Sequence, residues 1–339
     1  MGIDIERIKD CFLTLHHFSG VVVLEQNGKE IFCKSSGCAN LSQRLPNTPG
    51  TRFGLASIGK AFTAVAVCQL IDRGLLTFDT LALPLLAFDF PHFDPGITIQ
   101  HLLTHTSGIP DYFDEEVMDD YAELWTDIPM YKMRDIKDFI PMFQNGMMRF
   151  KPGEKSYYCN SAFLLLGLVV EKLSGMRFID YVQKNILEPC SMKNSGYFAL
   201  DNLPERVATG YIYNGDSVRS NIYAIPVVGG PDGGIFSTAY DLFRFWDGLN
   251  SFKLMSPETT KHFFTPFVPA FDDIYFGCAV WIKKLASDRV FYSFVGSDPG
   301  YDAVTTYCPQ ENLKIAILGN SNDRGVFQLH ECISKGCGC

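Results

Sequence analysis

Two side chains at the start of an apolar run could together form an activated nucleophile. Ser57 and Lys60 are three residues apart, so on a helix they share one face, one turn apart. Because burial lowers the pKa of a lysine, we expect Lys60 to be a neutral amine that takes a proton from the Ser57 hydroxyl. Ser-x-x-Lys also arises about once by chance in a chain of this length. Ser57 would then be a plain helix cap, and Lys60 would reach out to water.

A buried helix is predicted to hold this pair. Within residues 61–71 the only polar side chains are Thr63 and Gln69, and a helix that is apolar on all sides is a buried one. Gly74 ends the run with a residue suited to a left-handed cap. Ser57, at the first turn, would lie close to the partial positive charge of unpaired backbone N–H groups.

Composition and charge narrow the class of protein. The chain has 339 residues, of which 47% are hydrophobic, so it can bury one large core or two interleaved ones. A net charge of −9 argues against nucleic acid and against an anionic membrane surface, and we expect a small-molecule substrate. The apolar runs fall short of the roughly 18 residues that span a bilayer, and the N-terminus lacks the apolar core of a signal peptide.

The eleven cysteines suggest a reducing compartment. They are scattered without the regular spacing of a disulfide framework, and several, such as Cys68 and Cys159, fall inside apolar or motif segments. We therefore expect reduced thiols and a cytoplasmic protein. The tail that contains Cys337 and Cys339 is expected to be an unstructured end rather than a metal or redox site.

The order of the predicted elements indicates a mixed α/β (α+β) fold. A helix is expected at residues 3–18, followed by a hairpin whose turn is Asn27-Gly28. The last third of the chain contains β-rich runs and a final helix, at residues 276–283, 289–295, 300–307, 313–319 and 325–334.

Terminal strands of this kind fit one antiparallel sheet flanked by the N- and C-terminal helices. We expect residues 1–75 and 226–339 to form this sheet subdomain. Residues 76–225 would then be an inserted all-helical subdomain, and the active site would lie where the two meet.

Three further pairs of residues could bind metal or take part in catalysis. His101 and His105 have a spacing that can hold zinc, but no glutamate follows His101 and no third ligand is evident, so we expect imidazoles bonded to loop backbone. His16-His17 is likewise expected to be a helix end, and no metal or other cofactor is predicted. Tyr158 and Asn160 precede an apolar helix at residues 162–173, which Asn160 or Ser161 is expected to cap.

In this order, these segments resemble the serine β-lactamase and penicillin-binding-protein superfamily, in its branch of class C β-lactamases, D-aminopeptidases and serine esterases. The resemblance extends from about residue 20 to about residue 325, nearly the whole chain. The matching segments are ASIGK at 56–60, ITIQHLLTHTSG at 97–108, KPG at 151–153, YCN at 158–160, GGIFST at 233–238 and PGY at 299–301.

The resemblance implies a β-lactamase-like fold and an acyl-enzyme mechanism. Ser57 would attack an acyl carbon, and Lys60 and Tyr158 would share the proton transfers. A phenol with a pKa near 10 must then be acidified by an adjacent ammonium to act as a base at neutral pH. Asn160 would hold Lys60 and bind substrate, and the oxyanion would lie between the backbone N–H groups of Ser57 and Ser297.

One motif departs from the family's pattern. Where the family has Lys-Thr-Gly or His-x-Gly, this chain has Phe294-Val295-Gly296, so the glycine is kept and the cation is replaced by Phe294. The resemblance implies that Phe294, Gly296 and Ser297 lie at the substrate site, where Gly296 lets the substrate backbone approach. This change counts against efficient penicillin or D-Ala-D-Ala chemistry and favours an esterase or amidase. Asp298 would further repel anions, and Arg324 is a candidate for the missing positive charge in substrate binding.

The sequence therefore predicts a serine hydrolase that acts on a small ester, an amide or a D-amino-acid peptide. Two alternatives stay open. One is a non-catalytic or slow-turnover ligand-binding sensor, and the other is a true β-lactamase or D,D-peptidase. The substrate and the oligomeric state are not predicted, because the segments expected to form the pocket walls, 111–150 and 200–225, carry no interpretable motif.

Overall fold

In the computed structural model, which describes residues 4–14, 18–118, 120–285 and 289–336, eight strands form one antiparallel sheet. Three short strand pairs lie beside it. The strands are β1 (Gly20–Gln26), β2 (Lys29–Ser36), β3 (Cys38–Asn40), β4 (Leu45–Pro46), β5 (Phe53–Gly54), β6 (Tyr211–Asn214), β7 (Ser217–Ser220), β8 (Phe236–Ser237), β9 (Val268–Phe271), β10 (Ile274–Phe276), β11 (Trp281–Lys284), β12 (Val290–Asp298), β13 (Tyr301–Cys308) and β14 (Leu313–Gly319).

The described residues also form eight α-helices. None of them, within those ranges, is long and apolar enough to cross a membrane. The helices are α1 (Ile5–Thr14), α2 (Gly59–Asp72), α3 (Ile99–Leu103), α4 (Asn160–Ser174), α5 (Phe178–Val182), α6 (Ala239–Asn250), α7 (Pro257–Phe263) and α8 (Gly325–Gly336).

Strands from the two ends of the chain meet inside the large sheet, whose order is β2-β1-β14-β13-β12-β11-β10-β9. Strand β1 pairs with β14 from Gly20↔Gly319 to Gln26↔Leu313. Alternate side chains of β1 enter different clusters, because successive residues of a strand point to opposite faces. Val22 packs with α1 and α8, whereas Val21 packs in the larger core with α2, α4 and α6. The sheet is thus covered by helices on both faces.

The predicted mixed fold, with an antiparallel sheet and flanking terminal helices, is confirmed. The Asn27-Gly28 hairpin turn is present, and both residues have positive φ, at 52° and 73°. The predicted strand at 276–283 is instead two strands, β10 and β11, because the chain turns between them and Gly277 N donates to Val280 O at 2.8 Å. Strand β9, which contains Pro269, was not predicted.

The stretch 76–225 is less regular than the predicted all-helical insertion. It contains α3, α4 and α5, but also the β6–β7 hairpin and several isolated 3-10 turns. Prolines such as Pro84 and Pro141 lie inside these turns, where they limit the extension of a regular helix. The division into two subdomains at these boundaries stays a prediction. His16-His17 and the Cys337–Cys339 tail lie outside the described residues.

A disulfide joins the first and last helices, so the prediction that all thiols are reduced is wrong for one pair. Cys11 of α1 and Cys332 of α8 are bonded across 321 residues, with their Cα atoms 6.1 Å apart. The two helices pack side by side on the same face of the sheet, which brings the two thiols together although nothing in their local sequence marks them. Disulfides persist in oxidising environments, so this pair does not support a cytoplasmic location, which stays a prediction.

Reduction of this disulfide should destabilise the protein. Disulfides typically contribute about 2–4 kcal/mol to the free energy of unfolding, and more when they close a long loop. We therefore expect Cys332→Ser to lower that free energy by about this amount in urea denaturation. Cys38→Ser, which replaces an unpaired thiol, is the matched control. If alkylation and intact-mass analysis count the same number of thiols with and without reductant, the bond does not form in solution.

Candidate active site

Ser57 lies in a short 3-10 turn, Ala56–Ile58, that leads directly into α2. Ala56 has a positive φ of 47°, which is costly for a residue with a Cβ. The glycine-rich loop at residues 229–234 holds the turn in place, since Gly234 N donates to Ala56 O at 3.1 Å. The strained backbone next to Ser57 is therefore fixed by contacts outside the helix.

The Lys60 side chain is 3% exposed and donates three hydrogen bonds. Its Nζ lies 2.9 Å from Ser57 Oγ, 2.7 Å from Asn160 Oδ1 and 2.6 Å from the backbone oxygen of Asp232. An ammonium has three N–H groups and no lone pair, so these acceptors use all of its donors. This geometry fits a protonated lysine.

The structure favours the Lys60 ammonium that the resemblance implies, but neither the neutral amine expected from burial alone nor an acidified Tyr158. Burial lowers the pKa of Lys60, but attraction to Tyr158 and to Asp232 more than offsets it, and the pKa is raised. Burial raises the pKa of Tyr158 to about 12, although the charge of Lys60 opposes this rise. Burial alone predicts a neutral Lys60 amine, whereas the resemblance implies a Lys60 ammonium that acidifies Tyr158. At neutral pH the structure instead favours an ammonium beside a neutral phenol.

Tyr158 is held against the nucleophile by a stacked histidine. Its hydroxyl is close enough to Lys60 and Ser57 for both groups to oppose the rise in its pKa, and Lys60 Nζ lies 4.9 Å from the centre of its ring. The ring of His105 stacks on that of Tyr158 with centroids 4.5 Å apart, and His105 Nδ1 accepts the N–H of Cys159 at 3.1 Å. Burial lowers the pKa of His105 to about 3, so it stays neutral.

The predicted role of both histidines in binding loop backbone is confirmed. His101 Nδ1 accepts the N–H of Thr98 at 3.2 Å, and this bond is part of the cap of α3. His105 bonds the backbone that follows Tyr158.

Asp111, which the sequence analysis missed, positions Asn160 from a distant loop. One carboxylate oxygen accepts from the backbone N and from Nδ2 of Asn160, at 2.8 and 3.0 Å. The other accepts from the N and Oγ of Ser161, at 2.8 and 3.0 Å. Burial raises the pKa of Asp111 to about 6, so it is ionised at neutral pH.

This arrangement corrects the predicted helix cap. Neither Asn160 nor Ser161 caps α4, because the helix begins at Asn160 and the carboxylate of Asp111 meets its first N–H groups. Asn160 Nδ2 also donates to Phe113 O at 3.3 Å, so both amide hydrogens bond within the protein. Asn160 lines the cavity and holds Lys60, and its predicted bond to substrate stays a prediction.

Strand β12 runs past the Ser57 turn with a free edge. It pairs with β11 only as far as Ser293, and in the described chain its last residues pair with β13 alone. A Cβ at Gly296 would overlap the carbonyl oxygen of Leu55 and lie 2.8 Å from the backbone N of Ser57. Only glycine therefore lets the strand approach the turn. Ser297 follows on the cavity wall, and its backbone N–H stays the predicted second oxyanion donor.

Phe294 does not contact the substrate cavity, and this part of the prediction is wrong. Its side chain is 1% exposed and stacks on Trp246 with ring centroids 4.5 Å apart. It also packs against Phe245 and Phe263. Residues 294 and 296 point to the same face of the strand, but at position 294 that face lies beneath α6 rather than beneath the Ser57 turn. The position is therefore part of the core.

A cavity of about 900 Å³ opens in front of Ser57. Asn160, Ser297 and Asp298 line it, together with apolar side chains that include Phe236. Arg324 also lies on its wall, exposed, with its guanidinium 5.4 Å from the ring centre of Phe327. The structure thus brings Ser57, Lys60, Tyr158 and Asn160 together at one end of a space large enough for a small substrate.

Known proteins match this chain over a range that includes all the motif segments on which the sequence resemblance was based. The family model described as Beta-lactamase matches residues 6–330. The crystal structure of a penicillin binding protein from Bacillus halodurans is 41% identical, has a TM-score of 0.91, and is matched over 98% of this chain and 99% of that one.

Two curated relatives differ in how much of their length this chain spans. Penicillin-binding protein 4* of Bacillus subtilis (strain 168) is 29% identical over 349 residues, which cover 95% of this chain and 73% of that protein. Protein flp of Staphylococcus aureus (strain N315) is 25% identical over 263 residues, which cover 76% of this chain and 47% of that protein. This chain therefore spans about half the length of the second relative.

Activity should rise with pH if Tyr158 is the base. Its pKa of about 12 means that the phenolate fraction grows about tenfold per pH unit throughout the accessible range. We expect kcat/KM for a neutral ester to increase between about pH 7 and pH 10, and Tyr158→Phe to abolish the increase. Rates without enzyme must be subtracted at each pH. A profile that is flat or falls across this interval would exclude Tyr158 phenolate as the base.

Asp111→Asn should weaken both the fold and the site. Two buried N–H groups and the Asn160 amide lose a charged acceptor, a change that typically costs about 1–3 kcal/mol. We expect that decrease in the free energy of unfolding, measured in urea, together with a lower kcat. Asp216→Asn, at an exposed turn, is the charge-matched control and should change neither. Equal stability of the two variants would show that the Asp111 carboxylate does not cap α4.

Proposed function

This chain belongs to the Beta-lactamase family, and we propose that it is a serine hydrolase that forms an acyl-enzyme on Ser57. We propose a small ester, an amide or a D-amino-acid peptide as its substrate. One observation carries the proposal. The buried ammonium of Lys60 donates to Ser57 Oγ, and the same Nζ lies 4.9 Å from the centre of the Tyr158 ring.

The proposed acylation uses Tyr158 as the base and Lys60 as a fixed cation. Lys60 occupies one lone pair of Ser57 Oγ and directs the hydroxyl proton towards Tyr158. When Tyr158, as phenolate, takes that proton, Ser57 Oγ forms a bond to the acyl carbon. The neutral Tyr158 then returns the proton to the leaving oxygen or nitrogen as its bond to carbon breaks. Lys60 stays charged throughout, and its charge stabilises the phenolate.

Deacylation would repeat these steps with water. Tyr158 takes a proton from a water molecule that attacks the acyl carbon, and the proton passes to Ser57 Oγ as the ester bond breaks. The negative oxygen formed in both halves would lie between the backbone N–H groups of Ser57 and Ser297. Loss of one such donor typically costs about 10²–10³-fold in rate.

Penicillin binding is a second candidate function, because the relatives from Bacillus halodurans and Bacillus subtilis are named penicillin-binding proteins. A penicillin carries a carboxylate, however, and the cavity near Ser57 contains Asp232 and Asp298. Phe294, at the position where the family has lysine or histidine, offers no positive charge there. Arg219 and Arg324 also line the cavity, but the acids near Ser57 and the missing cation at position 294 favour uncharged or cationic substrates beside the nucleophile.

Labelling of the nucleophile tests the proposed function. We expect a fluorophosphonate probe to modify the wild-type protein at Ser57, as located by peptide mass spectrometry, and Ser57→Ala to remove the label. Ser217→Ala, at an exposed position on β7, is the matched control and should label like wild type. An intact fold without Ser57-dependent labelling would contradict the proposal.

Turnover measurements separate the alternatives. We expect hydrolysis of p-nitrophenyl esters or D-amino-acid anilides, and Ser57→Ala should lower kcat by about 10³-fold or more. Rapid multiple turnover of a cephalosporin would favour a true β-lactamase. A single long-lived adduct by intact mass, without turnover of any substrate class, would favour a ligand-binding sensor.

A further inference from the structure

A tight turn in the glycine-rich loop is fixed against α2 and contains an acidic residue. Residues 230–233 form this turn, and two backbone hydrogen bonds of 2.8 and 3.2 Å join its first and last residues. Thr63 Oγ1, on α2, donates to Pro231 O at 2.6 Å. One turn earlier on the same helix, Lys60 Nζ donates to Asp232 O, also at 2.6 Å. The backbone of Asp232 is therefore held directly against the ammonium.

The side chain of Asp232 is held in place as well. The Tyr112 hydroxyl donates to Asp232 Oδ2, and the Tyr112 oxygen lies 3.0 Å from that of Tyr121. Burial raises the pKa of Asp232, but the charge of Lys60 and the bond from Tyr112 oppose the rise. Burial also raises the pKa of Tyr112 well above its usual value, so its hydroxyl keeps the proton that it donates. A donor of this kind stabilises the ionised form of a carboxyl group.

A ring of hydrogen bonds surrounds the ammonium and includes two carboxylates. On one side the ammonium donates to Asn160, whose amide donates to Asp111. Asp111 also accepts from the hydroxyl of Ser161, which itself accepts the N–H of Tyr112. Tyr112 donates to Asp232, whose backbone oxygen accepts from the ammonium and closes the ring. The positive charge thus has a fixed negative group on each of two sides.

Other titratable groups face Lys60 from the elements packed around it. They lie before α4, in the loop that follows α3 and at the end of β12, and they are Tyr158, Cys159, His105, Asp111, Glu115 and Asp298. Burial keeps the imidazole and the thiol neutral. Burial also lowers the pKa of Lys60, while Tyr158 and Asp232 raise it most and Glu115 raises it less. Among the carboxylates that face it within the described residues, Asp232 is the one whose own backbone also accepts from the ammonium.

We propose that Asp232 is a positioning residue of the catalytic site, which keeps Lys60 charged and directed at Ser57. Its backbone oxygen accepts one of the three N–H groups, its carboxylate supplies the compensating charge, and Tyr112 holds that carboxylate in place. Without this charge the buried ammonium loses part of what offsets its removal from water. The proposal rests on the proposed function in one respect, because it takes the charge of Lys60 to be what stabilises the Tyr158 phenolate.

Titration of Lys60 by NMR tests the proposal without turnover. The protein is labelled with lysine that carries carbon-13 at Cε, and the Lys60 signal is the one that Lys60→Arg removes. Because the pKa of Lys60 is raised, we expect the wild type to show an ammonium throughout about pH 7–10. Asp232→Asn keeps the size of the side chain and removes its charge. In this variant we expect the neutral amine to form at least about one pH unit lower, since a neighbouring opposite charge typically moves a pKa by about 1–3.

The pH dependence of catalysis gives a readout that a purely structural role would not change. The rise of kcat/KM for a neutral ester, expected between about pH 7 and pH 10 in the wild type, should level off or turn down within that interval in Asp232→Asn. The reason is that a neutral Lys60 no longer stabilises the Tyr158 phenolate.

Two further variants separate the charge from the fold. Tyr112→Phe leaves the carboxylate but removes its donor, so it should lower the Lys60 midpoint in the same direction and by less than Asp232→Asn. Asp216→Asn, which removes an exposed carboxylate on the β6–β7 turn, is the charge-matched control and should change neither the midpoint nor the pH profile. Thermal unfolding would verify that each variant is folded.

The proposal is overturned if Lys60 in folded Asp232→Asn stays charged as far up in pH as in the wild type. Should that variant not fold, an unchanged midpoint in Tyr112→Phe would overturn it. Failure of the proposed function has a different signature. A lowered midpoint in a protein whose Ser57 never labels would support the role of Asp232 and contradict the hydrolase. Labelling and turnover with a midpoint that does not depend on Asp232 would do the reverse.

Discussion

The structure of the site depends on one buried positive charge. The ammonium of Lys60 is almost fully removed from water, and an uncompensated charge in that position would be very costly. Its three acceptors come from the turn before α2, from the first residue of α4 and from the glycine-rich loop before β8. One side chain thus fixes the relative positions of three segments that are far apart in sequence. The same contacts prevent it from accepting a proton, which leaves Tyr158 as the group that can.

Negative groups surround this cation on several sides. Asp232 accepts from Tyr112, whose hydroxyl also bonds Tyr121, and the carboxyls of Asp298 and Glu115 act on the same region through space. Such an environment stabilises the protonated lysine, and burial together with mutual repulsion raises the pKa of Asp298. It is also unfavourable for anionic ligands. A single charge distribution therefore links the protonation state of the catalytic groups with the kind of substrate that can approach them.

Patterns within short stretches predicted a large part of this molecule. The apolar run after Ser57, the Asn27-Gly28 turn and the strands of the last third all follow from local periodicity and turn chemistry. Ser57, Lys60, Tyr158 and Asn160 were recognisable because each lies in a short motif. The features that were missed depend on contacts between distant residues. They include the carboxylate of Asp111 at the start of α4, the direction of Phe294 into the core, and the pairing of Cys11 with Cys332. The neutral Lys60 expected from burial alone was wrong for the same reason, because its acceptors are not evident from its own helix.

The pairing of β1 with β14 constrains the order in which the chain can be assembled. Val21–Leu24 are fully buried, yet the strand beside them is made almost 300 residues later in synthesis. Until then one long edge of an apolar strand has no partner, and such edges promote association between nascent chains. Contacts so distant in sequence also slow folding. The glycine-bearing strand that passes Ser57 belongs to the same late group, so during translation the nucleophile gains its surroundings only after that distant strand has been made.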